Sequence, residues 1–514
     1  MLYPYLEGGA SLDHKVLRRA LIRIGVAVLL VALSVTGIWL RGREKKPDLT
    51  GYSVEVIPPT CVDGGYSLYT NPETGEIVME DIVPATGHDF CDWQVVEEAE
   101  LRTPGSRSRS CKNCGEEETS RSYPDAGIPV IALEGSLEGI AKKSEVAMQA
   151  NLFTPEGEIV SFASLKYQGH SSLHFDKKNY TLKLWKDNLL TEKNKLTFSH
   201  WNKENKYILK ADYLDPTMCR NLICADVWAQ VVASRENLPK NFAELSNYGA
   251  VDGFPTLLYI NGEFQGIYNM NLHKDDDLFG MSDDAPHAIM ITNDPTAEEA
   301  FFKGQAAFTD ISPWEVEFCG TEDSAWAKKK LNKLISFVME SDDASFRKNL
   351  HKYLDVDSAI DYLLSMYVLG LCNHGADELV LVCYSANDPW ICSMYDMETG
   401  FGLTADGKSF LAADAFLPEA GDSATDNLLW DRLLRNFYPE LCSRYAELRQ
   451  TVFAPENLLG QVADFTNAIP AEAYEANDAI HTGYPASRTG IDQIERYIEE
   501  RIELTDKLFL SSEG

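Results

Sequence analysis

The chain has 514 residues and a formal net charge of −33 at pH 7, from 79 acidic and 46 basic residues. A surface this acidic repels phosphate backbones, so we expect no nucleic-acid partner. Hydrophobic residues make up 45% of the chain, which allows most of it to bury a core, and the length suggests roughly three domains.

The first predicted element is an apolar helix over residues 24–40, with basic residues on both sides. As a helix it is roughly 25 Å long, close to the thickness of the hydrocarbon layer of a membrane. A cleaved signal peptide is the rival interpretation, but no small-residue cleavage site follows. We therefore expect a single transmembrane anchor over 24–40. Almost all of the mass of the chain lies C-terminal to it, which favours a cytoplasmic tail over 1–23 and the bulk of the chain outside the cell membrane.

Residues 53–122 are predicted to form a separate small module rich in Gly, Thr, Glu and Cys. Cys111 and Cys114 have the Cys-x-x-Cys spacing, followed by Gly, with which two thiolates grip one tetrahedral Zn²⁺. A module this small has little hydrophobic core, so we expect a bound metal ion or disulfides to stabilise it. Three alternatives stay open. They are zinc on Cys61, His88, Cys111 and Cys114, disulfides among Cys61, Cys91, Cys111 and Cys114, or free thiols. The segment resembles a zinc-ribbon-like repeat of exported proteins of Gram-positive bacteria. In such repeats the first half usually has its own Cys-x-x-Cys pair, and here residues 69–72 stand in its place.

Strands dominate the next part of the predicted fold. Alternating or continuous apolar runs predict strands at Val130–Leu133, Val146–Leu152, Glu158–Tyr167 and Tyr180–Trp185. The run Leu257–Leu272 predicts a β-hairpin, because Asn261-Gly262 tolerates the positive φ angles of a type I′ turn. Gly266 marks a bulge or a close approach of another backbone in its second strand.

Helices dominate the remainder of the chain, with one further strand pair. Helical spacing appears at Asn221–Ala233, Ala325–Glu340, Ser345–Tyr353, Val356–Leu371 and Gln493–Leu510. Val380–Tyr384 and Trp390–Tyr395 read as strands around a turn. Strands first and helices later predict an α+β fold class.

Several polar motifs occur in a fixed order along this region. They are Gly169–Ser172, Lys177–Lys183, Tyr207–Pro216, Arg220-Asn221, the hairpin, and Trp390–Gly402. This series resembles the CotH family of spore-coat-type, secreted atypical protein kinases. The resemblance implies an atypical protein-kinase-like domain over 128–510, strand-rich in its N-terminal part and helical in its C-terminal part, and an exported protein.

The resemblance implies ATP and Mg²⁺ or Mn²⁺ as cofactors. Asp396 ends an apolar strand, and Glu398 would point to the same side on a continued strand, so both are candidate metal ligands. Asn373, after the preceding helix, is the third. His374 and Asp377 are the candidate bases, so the predicted catalytic residues are Asn373, His374 and Asp377.

Cations and hydroxyls upstream are the candidates for holding phosphate. Lys178 and Lys183 are predicted to neutralise it. Ser171 and Ser172 follow Gly169 in a turn that offers N–H and hydroxyl donors. Arg220 either reaches a phosphate or pairs with an interior carboxylate.

Two functions follow from these residues. The first is a membrane-anchored protein that transfers phosphate from ATP to Ser or Thr of a protein substrate. The second is an inactive surface or spore-coat protein of the same fold, with an envelope or coat partner. Asn373, Asn271 and Glu398 favour the second, since the family has Asp, Glu and Asp at those places. Scaffolding at the envelope through the Cys module is a third possibility.

Overall fold

The computed structural model describes residues 48–292, 314–371, 374–375, 378–418, 427–481 and 490–511. These residues form two compact units. The first runs to Trp93 and includes Arg109–Glu118, and the second contains Gln94–Ser108 and everything from Thr119 onward.

The first unit contains a small antiparallel sheet with almost no apolar core. Its strands are β1 (Ser53–Ile57), β2 (Gly65–Thr70) and β3 (Ile77–Val83), in the order β1-β2-β3. Val56 and Ile77 are both more than 60% exposed, and the buried apolar side chains of the described unit are those of Cys61 and Cys111. Hydrophobic burial therefore contributes little to the stability of this unit.

Three short strands follow, β4 (Gln94–Glu97), β5 (Gly105–Ser110) and β6 (Glu117–Ser122), in a second three-stranded sheet. The large core of the chain begins after them, at Ile128.

A closed barrel of seven strands forms the first half of the second unit, in the order β10-β11-β13-β12-β7-β8-β9. Its strands are β7 (Val130–Glu134), β8 (Val146–Thr154), β9 (Gly157–Gln168), β10 (Asn179–Trp185), β11 (Lys206–Lys210), β12 (Gly253–Ile260) and β13 (Glu263–Leu272). Neighbours are antiparallel except β7 and β12, which pair in parallel from Val130 and Leu257.

The hairpin β12–β13 turns at Asn261-Gly262, where φ is +54° and +80° as a type I′ turn requires. Gly266 also has a positive φ, and a Cβ there would lie 2.4 Å from Oδ1 of Asn477. A register shift between Leu258 and Tyr259 faces it across the hairpin. The predicted hairpin and the special position of Gly266 are both present.

A four-stranded antiparallel sheet follows, in the order β15-β14-β16-β17. Its strands are β14 (Ala288–Thr292), β15 (Trp314–Cys319), β16 (Leu379–Cys383) and β17 (Ile391–Met394). The helices are α1 (Arg220–Ala233), α2 (Lys240–Ala243), α3 (Ala325–Glu340), α4 (Asp343–Asn349), α5 (Val356–Leu369), α6 (Leu428–Asn436), α7 (Tyr438–Leu448), α8 (Pro455–Ala468), α9 (Ala471–Ile480) and α10 (Ile491–Phe509).

The predicted fold class, an α+β kinase-like domain with a strand-rich N-terminal part and a helical C-terminal part, was wrong. The strand-rich part closes into a seven-stranded barrel, and a second sheet extends into the part predicted to be mainly helical. An alternating apolar pattern shows which side of a strand is buried, but it does not show which strands pair. The barrel closes through the pairing of β7 with β12, which are far apart in the sequence. The anchor predicted at 24–40 lies outside the described residues, and none of the helices that are described is long and apolar enough to span a bilayer.

Candidate functional site

A buried lysine at the end of β11 meets two carboxylates that follow β17. The side chain of Lys210 is 9% exposed. Its Nζ forms an ion pair with Oδ1 of Asp396 and lies 3.5 Å from Oε2 of Glu398. The barrel and the four-stranded sheet therefore each contribute charged groups to one cluster, which we call the Lys210 cluster.

The ion pair shifts both of its groups toward their charged forms. Burial alone would lower the pKa of Lys210, but the charges of Asp396 and Glu398 hold it well above its usual value. Burial would likewise raise the pKa of Asp396, yet the Lys210 charge holds it below its usual value. At neutral pH both groups are ionised.

Further carboxyl groups surround this pair, and one lysine does not neutralise them all. Burial raises the pKa of Glu398 to about 7, with the Asp396 charge adding to the effect. Burial and the charges of Asp396 and Glu398 raise the pKa of Glu378 well above its usual value. Asp212 is fully buried, which raises its pKa to about 6, and its Oδ2 accepts a 2.7 Å hydrogen bond from Asn269. The cluster thus has a surplus of carboxylate oxygens.

This donor set fits a hard divalent cation, since Mg²⁺ and Mn²⁺ take oxygen ligands from one or two carboxylates and keep several waters. Asp396 and Glu398 remain partly exposed, at 34% and 36% of their side chains, so both are accessible to such an ion. The third predicted ligand, Asn373, lies outside the described residues.

The segment that carries these carboxylates is held by the start of α1. Asp396 has a φ of +54°, a left-handed conformation that is uncommon outside glycine. The next backbone amide, of Met397, donates to Oδ1 of Asn221 at 2.9 Å. Nη1 of Arg220 donates to the carbonyl of Gly400 at 2.8 Å.

Arg220 is completely buried, and its guanidinium is occupied by protein groups. Nε lies 3.2 Å from Oδ1 of Asp215, and Nη2 donates to Oε1 of Gln493 at 2.6 Å. Of the two roles predicted for Arg220, this geometry matches the pairing with an interior carboxylate. The motif Asp215 to Asn221 therefore positions the turn that presents Asp396.

The structure places the predicted phosphate residues on β10 and just before it. Nζ of Lys178 donates to the carbonyl of Leu173 at 2.9 Å, and Lys183 pairs with Glu145 at 2.5 Å. Ser172 Oγ donates to the carbonyl of Gln168 at 3.4 Å, and Ser171 is exposed. Their role toward phosphate stays a prediction.

A second buried lysine, Lys177, links this region to the Lys210 cluster. Its Nζ donates to the carbonyls of Ala211 at 2.8 Å and Ile267 at 2.5 Å, and it lies 4.7 Å from the ring centre of Tyr268. The amide of Ala211, the residue after Lys210, donates to Oδ1 of Asn179 at 2.7 Å. Lys177 and Asn179 therefore fix the backbone beside Lys210.

Of the predicted bases, His374 is described, and Asp377 lies outside the described residues. His374 is fully buried, which lowers its pKa to about 4. Its Nε2 lies 3.0 Å from the carbonyl of Tyr395, so the neutral ring donates there and supports the residue before Asp396.

Asn271, predicted to stand where the family has a glutamate, is buried on β13 opposite Ile208 of β11. A Cβ on Gly253 would lie 2.3 Å from its Oδ1, so the strand β12 passes closely over this side chain.

Sequence reasoning missed Lys210, Lys177, Asp212 and Glu378. One signal was available for Lys210, because it ends an apolar strand and is followed by two acidic residues, Asp212 and Asp215.

In the first unit, the four predicted zinc ligands come together. The Sγ atoms of Cys61 and Cys111 are 3.7 Å apart, and Sγ of Cys114 lies 3.4 Å from Nδ1 of His88. All four ligand atoms lie within 4.8 Å of one another. Cys91 is apart from them and contacts Ser110.

These distances suit one tetrahedral metal ion. Thiolates bound to one Zn²⁺ at about 2.3 Å are separated by about 3.8 Å, whereas disulfide sulfurs are separated by about 2.05 Å. All four cysteines of the predicted module, Cys61, Cys91, Cys111 and Cys114, are free thiols in the structure. Burial would raise the pKa of Cys111, but the backbone amides of Cys114 and Asn113 lower that pKa to about 6. Cys111 therefore binds a metal ion as thiolate more readily than Cys61, whose pKa is raised to about 11 by burial and by its hydrogen bonds with Cys114 and Cys111.

The fold and the site together define a protein in which a lysine–carboxylate cluster lies where a seven-stranded barrel meets a four-stranded sheet. The family model of the CotH kinase proteins matches residues 165–504, which is more than half of the chain. The chain therefore belongs to the CotH kinase protein family. A search of curated proteins found no match.

Proposed function

We propose that the Lys210 cluster binds a nucleoside triphosphate with Mg²⁺ or Mn²⁺ and transfers its γ-phosphate to Ser or Thr of a protein. One observation carries this proposal. A buried lysine is paired with one of several carboxylates that outnumber it, within the region matched by the family model. Phosphoryl transfer needs these parts, namely a cation for the phosphates and carboxylates for a metal ion.

Each residue would have a defined task. Asp396 and Glu398 would hold the metal ion, which neutralises charge on the phosphates when bound. Lys210 would neutralise phosphate charge from the barrel side. Arg220 and Asn221 keep the turn with Asp396 in place.

Glu378 is the described carboxyl best suited to take the proton of the acceptor hydroxyl. Burial and the charges of Asp396 and Glu398 raise the pKa of Glu378 well above its usual value, which makes its carboxylate a stronger base. His374, with a pKa of about 4, is a weaker base and is bonded to Tyr395. Asp377 remains a second proposed base.

The alternative function is a protein of the same fold that binds a partner at the cell surface or spore coat without turnover. The observation favouring it is Asn271, a neutral side chain on β13 where active relatives would need an acid. In this reading the Lys210–Asp396 pair is a structural ion pair.

Nucleotide binding is tested first by thermal unfolding of the full-length chain. Millimolar ATP with Mg²⁺ or Mn²⁺ should raise the melting temperature, because a ligand that binds only the folded state stabilises it by about 2.7 kcal/mol at 100 times its Kd. ATP with EDTA and AMP with Mg²⁺ are the controls, and both should give smaller shifts. No shift with either metal would contradict the proposal. Transfer of radiolabelled γ-phosphate to a mixture of Ser/Thr proteins then separates a kinase from a nucleotide-binding surface protein.

We also propose that the first unit is a zinc-ribbon-like module held by one structural Zn²⁺ on Cys61, His88, Cys111 and Cys114. Support comes from the grouping of the four ligand atoms and from the missing apolar core around them. Small units that bury little apolar surface need a metal or disulfide to fold.

Metal analysis of purified protein tests the zinc site. The full-length chain should carry about one equivalent of zinc, and Cys111→Ser should lose it, since a structural site needs all four ligands. Cys91→Ser is the matched control, because Cys91 lies in the same unit outside the cluster. Zinc retained by Cys111→Ser, or a wild-type chain without zinc after expression in zinc-supplemented medium, would contradict the proposal.

A further inference from the structure

A lysine-rich pocket lies beside α3, in a chain whose net charge is −33. Its volume is about 350 Å³. The residues that define this lysine pocket are Lys329, Lys330, Lys333, Lys352, Trp326 and Tyr353.

The positive charges of the lysine pocket are poorly compensated. Lys329, Lys333 and Lys352 are exposed, and none of them forms an ion pair with a carboxylate among the described residues. Lys352 donates to Oδ1 of Asn349, at 2.8 Å. Lys329 and Lys333 are one helical turn apart, where like charges repel.

Lys330 forms the inner wall of the pocket. Its Nζ donates to the carbonyls of Asp388 and Ala386 and lies 5.6 Å from the ring centre of Trp390. Burial lowers its pKa, and the Lys333 charge lowers it further, while the charge of Asp388 opposes the shift. The two carbonyls hold the Lys330 ammonium in the wall of the pocket, where its charge adds to that of the exposed lysines.

The lysine pocket lies at one end of the strand pair β16–β17, and the Lys210 cluster lies at the other end. Ala386 and Asn387 line it from the turn between β16 and β17. Asp396 follows the opposite end of β17, so the two places are separated by the length of that four-residue strand, roughly 13 Å. The lysine pocket and the Lys210 cluster are therefore separate places at opposite ends of β17.

We propose that the lysine pocket docks an acidic segment of a partner protein. The exposed ammonium groups are spread along a helix turn and a second element, which matches a row of carboxylates better than one compact anion. Trp326 and Tyr353 add aromatic surface, which is enriched at protein–protein interfaces. Docking by charge does not depend on phosphoryl transfer.

The test is binding of a fluorescein-labelled octa-glutamate peptide to the full-length chain, followed by fluorescence anisotropy at low salt. The double variant Lys329→Glu/Lys333→Glu should bind about tenfold more weakly, because two attractions become repulsions. Raising the ionic strength should weaken wild-type binding, since exposed charges are screened. Octa-glutamine should not bind.

The matched control is Lys142→Glu/Lys143→Glu, which changes the charge equally at two exposed lysines in a turn outside the lysine pocket. It should bind octa-glutamate as the wild type does. Equal loss in both double variants would overturn the proposal, because binding would then follow net charge only. Tripolyphosphate binding that depends on Lys329 and Lys333, without peptide binding, would also overturn it in favour of a small polyanion.

Discussion

Replacing Asp396 by asparagine is expected to abolish phosphoryl transfer, with a loss of at least about a hundredfold, and to remove the metal-dependent rise in melting temperature. Losing one charged group that stabilises the transition state costs about 10²- to 10³-fold in rate. Here the variant also removes the carboxylate that pairs with Lys210 and would hold the metal ion.

Asparagine is the right substitute because of the backbone at this position. With φ at +54°, Asp396 occupies a conformation that Asn and Asp tolerate better than other residues. An alanine would add backbone strain to the loss of charge and confuse the two effects.

Asp464→Asn is the matched control, since Asp464 is exposed on α8. It should keep full transfer and the full metal-dependent shift. If Asp396→Asn transfers phosphate at the wild-type rate, Asp396 is not a metal ligand and the proposed site is wrong. Circular dichroism and the melting temperature without ligand show whether the variant is folded.

Replacing Arg220 by methionine is expected to destabilise the second unit by about 3–5 kcal/mol, the usual cost of removing one partner of a buried ion pair. Arg220 is completely buried and is bonded to Asp215, Gly400, Phe401 and Gln493. Methionine matches much of the length of the side chain and leaves these partners without their donor.

The free energy of unfolding in urea measures this effect. Arg435→Met is the control, because Arg435 is exposed on α6 and its replacement should cost less than about 0.5 kcal/mol. A loss below about 1 kcal/mol for Arg220→Met would show that its hydrogen bonds are replaced by other groups. It would then not be the residue that fixes the turn after Asp396.

Local chemistry in the sequence predicted local structure well. Asn261-Gly262 predicted its hairpin because both residues tolerate positive φ, and the turn adopts it. The spacing of Cys111 and Cys114 led to a four-residue set that the structure groups within 4.8 Å. In each case the deciding interactions lie within a few residues or follow a fixed ligand spacing.

Long-range pairing was beyond the reach of the sequence. Alternation of apolar residues predicted a strand at Tyr180–Trp185, and the structure has β10 at Asn179–Trp185. Alternation does not show which strand end meets another sheet, so Lys210 was missed as the partner of Asp396. The same limit hid the parallel pairing of Val130 with Leu257, which closes the barrel.

The Lys210–Asp396 ion pair joins residues 186 positions apart, one at the end of a barrel strand and the other after the edge strand β17. Contacts between such distant residues form late in folding, because the entropy of closing the intervening chain must be overcome first. Lys210 also leaves the ribosome long before Asp396. A chain that has folded only its barrel therefore has an incomplete Lys210 cluster. The proposed binding of a metal–nucleotide complex would be acquired only when the four-stranded sheet has formed as well.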